Sequence, residues 1–299
     1  MVSIVIPTIN QVELVQQTLA LLMKTDYPNY EVIVVDDGSP LHIQQRLLNA
    51  IKDFHLQVIV KKVNSGFSST VNVGAANARG DYICIMNNDI RIVQPNWLST
   101  MVDSAQTSQA GIVGTRLLYG DGRIGHGGIL YVPSQKRFDH EYRYKPGNYG
   151  PALGAREVLG VTGALMLIDR RLWAALRGMD QRFFLSWEDV DLSLRAWAAG
   201  WRVIYNGMTY AIHPEGFTRA NKRWNQWKLW VTKEMKTKQF FNQKWRRHLA
   251  QLDKFRPRNT GNISTEQAAF WRRIVNKEPL PYIPIPVSEN EVGSPVYEG

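Results

Sequence analysis

An apolar run ends abruptly in three polar side chains in the segment Asp81-Tyr82-Ile83-Cys84-Ile85-Met86-Asn87-Asn88-Asp89. A short apolar run without alternation is typical of a strand in a parallel sheet that is covered on both faces. In open α/β sheets, ligands bind beyond the carboxyl ends of the strands. The segment therefore predicts a buried strand whose polar tip faces a ligand, although an Asn/Asp-rich turn would also explain the tip.

Strand-like and helix-like segments alternate through the first 110 residues. Apolar runs at residues 2–6, 31–35 and 56–60 are typical of strands, and residues 12–22 have apolar side chains at helical spacing, with Asn10 as a plausible N-cap. Such alternation predicts βαβ units and a mostly parallel sheet flanked by helices. Two of these strands also end in polar residues, which favours a crevice over a simple turn; the residues are Thr8, Asn10, Asp36 and Asp37.

The second half of the chain is less regular. Residues 137–151 are polar and aromatic, which predicts a mobile loop over the site. Residues 201–205 and 209–212 are typical of two short strands. Ser186 is a plausible N-cap for a helix that opens with acidic residues.

Composition indicates an ordinary globular protein. The chain has 299 residues, of which 44% are apolar and 21% charged. Because no apolar run approaches the roughly 20 residues that span a bilayer and the first residues do not resemble a signal peptide, we expect cytoplasmic residence. The lone Cys84 excludes a disulfide or a cysteine metal site within the chain.

Basic residues are concentrated in residues 219–258. This window holds thirteen Lys and Arg residues but only Glu234 and Asp253 as acids, within a chain of net charge +10. Its aromatic residues recur at about helical spacing, which favours one or two helices that pack against the rest of the protein. An anionic membrane surface on the inner face of the cell membrane, or nucleic acid, are the other partners that such a segment fits.

Two carboxylates, Asp37 and Asp89, are expected at the ends of strands that can be neighbours. Carboxylates that face one crevice repel each other unless a cation lies between them, and a divalent metal that carries a diphosphate is a common solution. Mg²⁺ or Mn²⁺ needs only one or two protein carboxylates, so Asp89 alone suffices. For Asp36 and Asp37, a solvated turn is the alternative.

Two further candidates lie in the second half. Glu188 and Asp189 follow an aromatic run at residues 183–187, where a partly apolar pocket would raise the basicity of a carboxylate that acts as a general base. Acidic residues in the first turn of a helix also complement its dipole, so a structural role remains open. His213 is either a hydrogen-bonded histidine of the fold or a metal ligand beside Asp89.

Taken together, the motifs resemble family 2 glycosyltransferases of the GT-A fold over about residues 1–217. Each motif alone is weak, but eight in the family's order are specific. They are Val5-Ile6-Pro7-Thr8, Val34-Val35-Asp36-Asp37-Gly38-Ser39, Asn64-Ser65-Gly66-Phe67, Asn72-Val73-Gly74, Ala78-Arg79-Gly80-Asp81-Tyr82, Asn87-Asn88-Asp89, Thr162-Gly163-Ala164 and Trp187-Glu188-Asp189-Val190-Asp191-Leu192-Ser193-Leu194-Arg195, followed by His213.

The resemblance implies an inverting transfer of a sugar from a UDP-, dTDP- or GDP-sugar to a hydroxyl of a glycan or lipid-linked acceptor. Thr8 and Asp37 match positions that hold the nucleoside. The full set that it implies for the nucleotide-sugar is Pro7, Thr8, Asn10, Asp36, Asp37, Asn64, Gly66, Asn72, Asn88 and Gly163.

The resemblance also implies the metal and the base. Asp89 matches the metal-binding carboxylate, and His213 a residue that ligates Mn²⁺ or Mg²⁺ in some relatives. The sequence Asn87-Asn88-Asp89 lacks a first carboxylate, as in the branch that resembles rhamnosyl- and galactofuranosyl-transferases. Asp189 matches the catalytic base, with Glu188 beside it.

The expected organisation is a catalytic domain at 1–217, divided into a nucleotide-sugar half (1–110) and an acceptor half (111–217). A basic helical extension at 218–256 and a Pro-rich extended tail at 257–299 follow. Three other functions remain open at this stage, namely transfer to modified DNA bases, nucleotidyl transfer, and nucleotide-sugar binding without catalysis. The absence of Lys and Arg from residues 7–12 argues against nucleotidyl transfer.

Overall fold

The structure is a computed structural model that describes residues 1–214, 224–252 and 297–298. Its helices are α1 (Val12–Leu22), α2 (Leu41–Ile51), α3 (Phe67–Asn77), α4 (Trp97–Ser108), α5 (Arg170–Leu176), α6 (Glu188–Ala198) and α7 (Trp224–Leu252). Its strands are β1 (Val2–Thr8), β2 (Tyr30–Asp36), β3 (Gln57–Val60), β4 (Tyr82–Met86), β5 (Arg91–Ile92), β6 (Ala110–Leu118), β7 (Ile124–His126), β8 (Ile129–Val132), β9 (Arg137–His140), β10 (Ala155–Glu157), β11 (Leu165–Asp169), β12 (Arg202–Ile212) and β13 (Tyr297–Glu298).

One sheet runs through both halves of the chain, in the order β10-β12-β6-β11-β4-β1-β2-β3-β13, with β5 and β7 at its margin. Strands β1, β2, β3 and β4 pair in parallel, as do β6 and β12, whereas β11 runs antiparallel between β4 and β6. The carboxyl ends of β1, β2, β4, β6 and β12 therefore lie along the same edge, where a ligand of an α/β sheet is expected.

Both faces of the sheet are buried. Val5, Ile33 and Ile85 point into a core that α3, α5 and α6 cover, while their chain neighbours Ile4, Val34 and Cys84 point into the core under α1 and α4. Because successive side chains of a strand point to opposite faces, a strand covered on both sides has no polar positions. This burial explains the continuous apolar run that ends at Asn87.

Four local predictions are wrong. The segment predicted as a mobile loop contains β9, which pairs with β8. The two short strands predicted near residue 205 are one strand, β12, whose register shifts between Asn206 and Tyr210. The N-cap of α1 is Gln11 rather than Asn10, and that of α6 is Trp187 rather than Ser186, and neither cap makes a side-chain hydrogen bond to its helix.

Helix α7 lies within the basic window and packs on the core with its aromatic side chains. Phe241 is fully buried and Trp245 almost so, next to Phe183 and Trp197 in one cluster. The packing expected for the aromatic side chains is therefore observed where the structure describes them. Within the described ranges, no helix is long and apolar enough to span a bilayer. Apart from Tyr297–Glu298, which pairs with β3, the predicted extended tail lies outside the described residues.

Candidate active site

Thr8 and Asn88 meet at the tips of neighbouring strands. Asn88 Nδ2 donates to Thr8 Oγ1 at 2.8 Å, and Thr18 Oγ1 of α1 donates to the carbonyl of Asn88 at 2.8 Å. Pro7 is buried one residue earlier in β1, and the backbone N–H of Asn10 donates to Ser39 Oγ at 2.9 Å. These contacts bring the tips of β1, β2 and β4 together, as the sequence predicts.

Asp36 holds the turn that follows β2. Its carboxylate accepts from Ser39 N at 2.9 Å and from Ser39 Oγ at 2.5 Å. Burial raises the pKa of Asp36 above its ordinary value, while the hydrogen bonds from Ser39 oppose that rise. The observed contacts of Asp36 are therefore those of a residue that shapes the turn at residues 36–39.

Asp37 forms a buried ion pair with Lys61, a residue that sequence reasoning missed. Lys61 Nζ lies 2.7 Å from Asp37 Oδ1, also contacts the hydroxyl groups of Ser65, Ser69 and Thr70, and has no exposed surface. The position of Lys61 directly after β3, at the same edge as Asp37, was the available signal. A lysine at a strand end is usually solvated, so its burial depends on tertiary packing.

The loop between β3 and α3 wraps around Asp37. The backbone N–H groups of Ser65 and Gly66 donate to Asp37 Oδ1 and Oδ2, each at 3.0 Å, and Gly66 N–H also reaches Asn64 Oδ1 at 3.2 Å. Gly66 has φ +90°, and a Cβ there would lie 2.5 Å from the carbonyl oxygen of Phe184. The loop can follow this path only with glycine at position 66.

Asn72 has a structural role in α3 rather than the predicted contact with the donor. Its Nδ2 donates to the carbonyl of Met179 at 2.8 Å, and its Oδ1 accepts from Met179 N–H at 2.9 Å. Both ends of the amide thus join α3 to the turn after α5. The sequence motif around Asn72 does not distinguish this packing role from ligand binding.

Asp89 and His213 are adjacent, although they are far apart in the sequence. His213 Nε2 lies 3.3 Å from Asp89 Oδ1, and His213 N–H donates to the carbonyl of Leu118 at the end of β6. Asp89 is 7% exposed, and its buried Oδ1 accepts no hydrogen bond from the residues that the structure describes. A buried carboxylate oxygen without a donor is costly, so this atom is suited to a cation.

Asp189 lies in the first turn of α6, opposite the segment that precedes β11. Gly163 N–H donates to Asp189 Oδ2 at 3.1 Å, and Val190 N–H donates to Oδ1 at 2.8 Å. Asp189 is partly exposed, whereas Glu188 is buried. Each carboxylate oxygen has a second lone pair, so the bonded Asp189 can still accept a proton.

A small cavity of about 10 Å³ lies beside His213 and is also lined by His126, His140 and Thr162. His126 Nδ1 lies 2.7 Å from His140 Nδ1, and Thr162 N–H donates to His126 Nε2 at 3.4 Å. Burial, together with the positive charges of His140 and Arg156, lowers the pKa of His126 well below 6.5. A neutral His126 can therefore accept the bond from Thr162, next to Gly163.

Comparison with known proteins agrees with this geometry. The chain matches the model of glycosyl transferase family 2 over residues 3–171, and that of glycosyl transferase family group 2 over residues 138–275. The O-antigen biosynthesis protein RfbC of Myxococcus xanthus is 30% identical over 223 residues, which are 73% of this chain but 18% of that relative. The chain thus spans less than a fifth of the length of RfbC.

Solved structures share the fold at low sequence identity. The mannosyltransferase PcManGT from Pyrobaculum calidifontis, in complex with GDP-Man and Mn²⁺, superposes with a TM-score of 0.56 at 16% identity, covering 78% of this chain and 60% of that one. GalNAc-T7 with UDP, GalNAc and Mn²⁺ gives a TM-score of 0.62 at 16% identity, covering 92% and 54%. These matches confirm the predicted GT-A fold. Because the model of family 2 covers more than half of the chain, the chain belongs to glycosyl transferase family 2, as its motifs predict.

Proposed function

We propose that the protein is an inverting glycosyltransferase that moves a sugar from a nucleotide-diphospho donor to a hydroxyl of a glycan or glycolipid. The observation that carries the proposal is the pair Asp89 and His213 at the same sheet edge as Thr8 and Asn88, where the buried Asp89 Oδ1 has no donor within the described part of the chain. The edge combines the contact between the Asn88 amide and the Thr8 hydroxyl with the carboxylate of Asp89. Such an edge suits a nucleotide-diphospho sugar and its cation.

The donor's nucleoside is assigned to the edge formed by Thr8, Asn10, Asn64 and Gly66, with Asp36 and Asp37 shaping the loops around it. The complexes of PcManGT with GDP-Man and of GalNAc-T7 with UDP support a nucleotide ligand, because their chains share the fold. Asp37 Oδ1 accepts from Lys61 and Ser65, and its Oδ2 accepts from Gly66. Its contribution to the donor is therefore to fix the loop at residues 64–66.

Asp89 and His213 fit a divalent metal, Mn²⁺ or Mg²⁺. The described part of the chain holds no group of three or more His, Cys, Asp or Glu ligands, so diphosphate and water would supply the other positions. Such a metal, when bound, offsets the charge that develops on the departing diphosphate. Asn88 lies beside Asp89 as a neutral neighbour, which keeps the local negative charge low.

Asp189 is proposed as the general base. The N–H groups of Gly163 and Val190 orient its two oxygens, and the side chain remains partly exposed, so an acceptor hydroxyl can approach it. Asp189 would take the proton of that hydroxyl as its oxygen attacks the anomeric carbon from the face opposite the diphosphate. Glu188 is buried next to Asp189 and is proposed to form part of the environment of the Asp189 carboxylate.

The acceptor is proposed to be a growing surface polysaccharide or its lipid-linked precursor, since RfbC is named for O-antigen biosynthesis. The buried aromatic side chains of α7 already pack on the core, so they are not available for insertion into a bilayer. Contact with an anionic inner membrane surface would then depend on exposed basic residues such as Lys236 and Arg246, and binding to anionic vesicles would weaken as salt rises.

A thermal-shift panel of UDP-, GDP- and dTDP-sugars, each with and without MnCl₂, tests the proposal. The true donor should raise the melting temperature by mass action, and Asp89→Asn should remove the part that depends on Mn²⁺. Asp189→Asn should keep the shift but lose turnover by about 10²- to 10⁴-fold. Normal turnover in Asp189→Asn, or no shift with any donor, would refute the assignment.

A further inference from the structure

The segment that leads to the proposed base has an unusual backbone. Ser186 and Trp187 have φ values of +68° and +73°, and both are residues that rarely adopt left-handed conformations. Such residues persist where the surrounding structure holds them, and they often lie next to a reacting centre. Asp189 follows two residues later, so the direction in which α6 starts depends on this turn.

Aromatic side chains of α7 pack against this turn. The rings of Trp187 and Phe241 lie 4.9 Å apart between centroids, and those of Phe183 and Phe240 lie 5.0 Å apart. Phe241 has no exposed surface. The contact between Trp187 and Phe241 therefore fixes the side chain of the very residue that precedes α6.

Two side chains of α7, Lys244 and Trp245, form polar contacts with the same region. Lys244 Nζ lies 2.6 Å from Asp191 Oδ1 and 2.9 Å from Asp180 Oδ2, and neither carboxylate has any exposed surface. Trp245 Nε1 also donates to Asp191 Oδ1 at 2.9 Å. Although burial acts to raise it, the bonds from Arg182 and the charge of Lys244 hold the pKa of Asp180 below its ordinary value.

The two sets of contacts bracket the proposed base. Trp187 lies two residues before Asp189 and Asp191 two residues after it, and α7 contacts both. On the other side, Phe184 O accepts from Phe67 N–H at 3.0 Å, and Phe183 O accepts from Ser68 Oγ at 2.7 Å. The segment from Phe183 to Asp191 is thus held between the first turn of α3 and α7.

We propose that Lys244, Trp245 and Phe241 are positioning residues for catalysis, which set the carboxylate of Asp189 through Asp191 and Trp187. The proposal rests on the function assigned above, because it takes Asp189 as the base. It makes α7 a part of the catalytic centre rather than an appendage that only brings the enzyme to its acceptor. Loss of the contacts with α7 lowers the rate of the chemical step and leaves the donor site intact.

The first test compares Lys244→Met with Gln243→Met, which places the same side chain at the neighbouring exposed position. The assay is hydrolysis, without acceptor, of the nucleotide-sugar that gives the largest thermal shift. A carboxylate displaced by about 1 Å should lower kcat for Lys244→Met by roughly 10- to 100-fold, with KM for the donor within about twofold. Gln243→Met should match wild type, and Lys244→Arg should recover part of the rate. Equal rates in Lys244→Met and wild type would overturn the proposal.

A second readout needs no donor. Hydrogen exchange of the amides at residues 186–191 should be faster in Lys244→Met than in wild type, with those of β1 unchanged. Faster exchange in α7 alone, with residues 186–191 protected as before, would show that Lys244 only anchors its own helix and would refute the proposal.

Trp245→Phe covers the case in which Lys244→Met does not fold, because it removes only the N–H that reaches Asp191 and retains a ring. We expect a decrease in kcat and faster hydrogen exchange at residues 186–191, each smaller than in Lys244→Met. A Trp245→Phe variant that behaves like wild type in both assays would overturn the proposal. Failure of the proposed function has a different signature, since Asp189→Asn would then retain the hydrolysis rate.

Discussion

Replacing Lys61 by methionine should destabilise the protein and disorder the loop at residues 64–66. The two side chains have similar length and volume, so the change removes a charge and its hydrogen bonds with little change in packing. Lys61 is fully buried, and its Nζ contacts Asp37 and three hydroxyl groups. Without it, the Asp37 carboxylate stays buried with only the N–H groups of Ser65 and Gly66 as donors.

Removing one partner of a buried ion pair typically costs about 3–5 kcal/mol. Because two backbone donors still reach Asp37, we expect a value near the lower end, about 3 kcal/mol. Asp37→Asn/Lys61→Met should lose less than the sum of the two single variants, by about 1–3 kcal/mol, since it leaves no isolated charge.

Urea unfolding followed by circular dichroism gives the free energies. Lys62→Met is the matched control, because Lys62 is exposed and should change stability by less than about 0.5 kcal/mol. The thermal shift produced by the donor with MnCl₂ should also shrink in Lys61→Met. A free energy of unfolding for Lys61→Met within about 1 kcal/mol of that for Lys62→Met would refute the reasoning. Losses of the two single variants that add strictly in the double variant would also refute it.

Two further predictions concern Gly66 and His126. Gly66→Ala combines a left-handed φ with a Cβ 2.5 Å from Phe184 O, so it should cost at least about 1–3 kcal/mol in urea unfolding and weaken donor binding. Gly154→Ala, where a Cβ meets nothing within 4 Å, should be nearly neutral, and equal effects of both would contradict the clash. Because burial lowers the pKa of His126 well below 6.5, the unfolded chain binds a proton there that the folded chain does not. The free energy of unfolding should therefore fall as pH drops below about 6.5, by up to about 1.4 kcal/mol per pH unit from this group. Between pH 7.5 and 5.5, the free energy of unfolding of His126→Gln should fall less than that of wild type. Equal slopes would mean that His126 is protonated in the folded protein.

The sheet and its polar edge could be predicted from the sequence because each signal is local. The apolar run before Asn87 reports burial on both faces, and parallel strands place the ends of β1, β2 and β4 together without further information. The pairing of Asp89 with His213 was one of two interpretations that the sequence left open, and the family resemblance favoured it. No local pattern links two residues that follow separate strands in opposite halves of the chain.

The sequence did not predict which polar side chains are buried by partners that are distant along the chain. Lys61 and Lys244 both lie next to other polar or basic residues, a context typical of solvated side chains, yet each is buried against carboxylates. Asn72 lies within a matching family motif, but its amide is bonded to Met179. In each case the partner lies on another element, so the role of the residue appears only after the chain has folded.

The partners of four carboxylates separate structural from chemical roles. Asp37 is matched by Lys61, and Asp191 by Lys244 and Arg195, so the chain itself neutralises both. Among the described residues, Asp89 Oδ1 lies 3.3 Å from His213 Nε2 and accepts no hydrogen bond, and Asp189 accepts from two backbone N–H groups while remaining partly exposed. A carboxylate neutralised by its own chain has little affinity left for a ligand, whereas an uncompensated one attracts a cation or a proton. Asp89 and Asp189 are therefore the two of these four to which the proposed function assigns the donor complex and the acceptor hydroxyl.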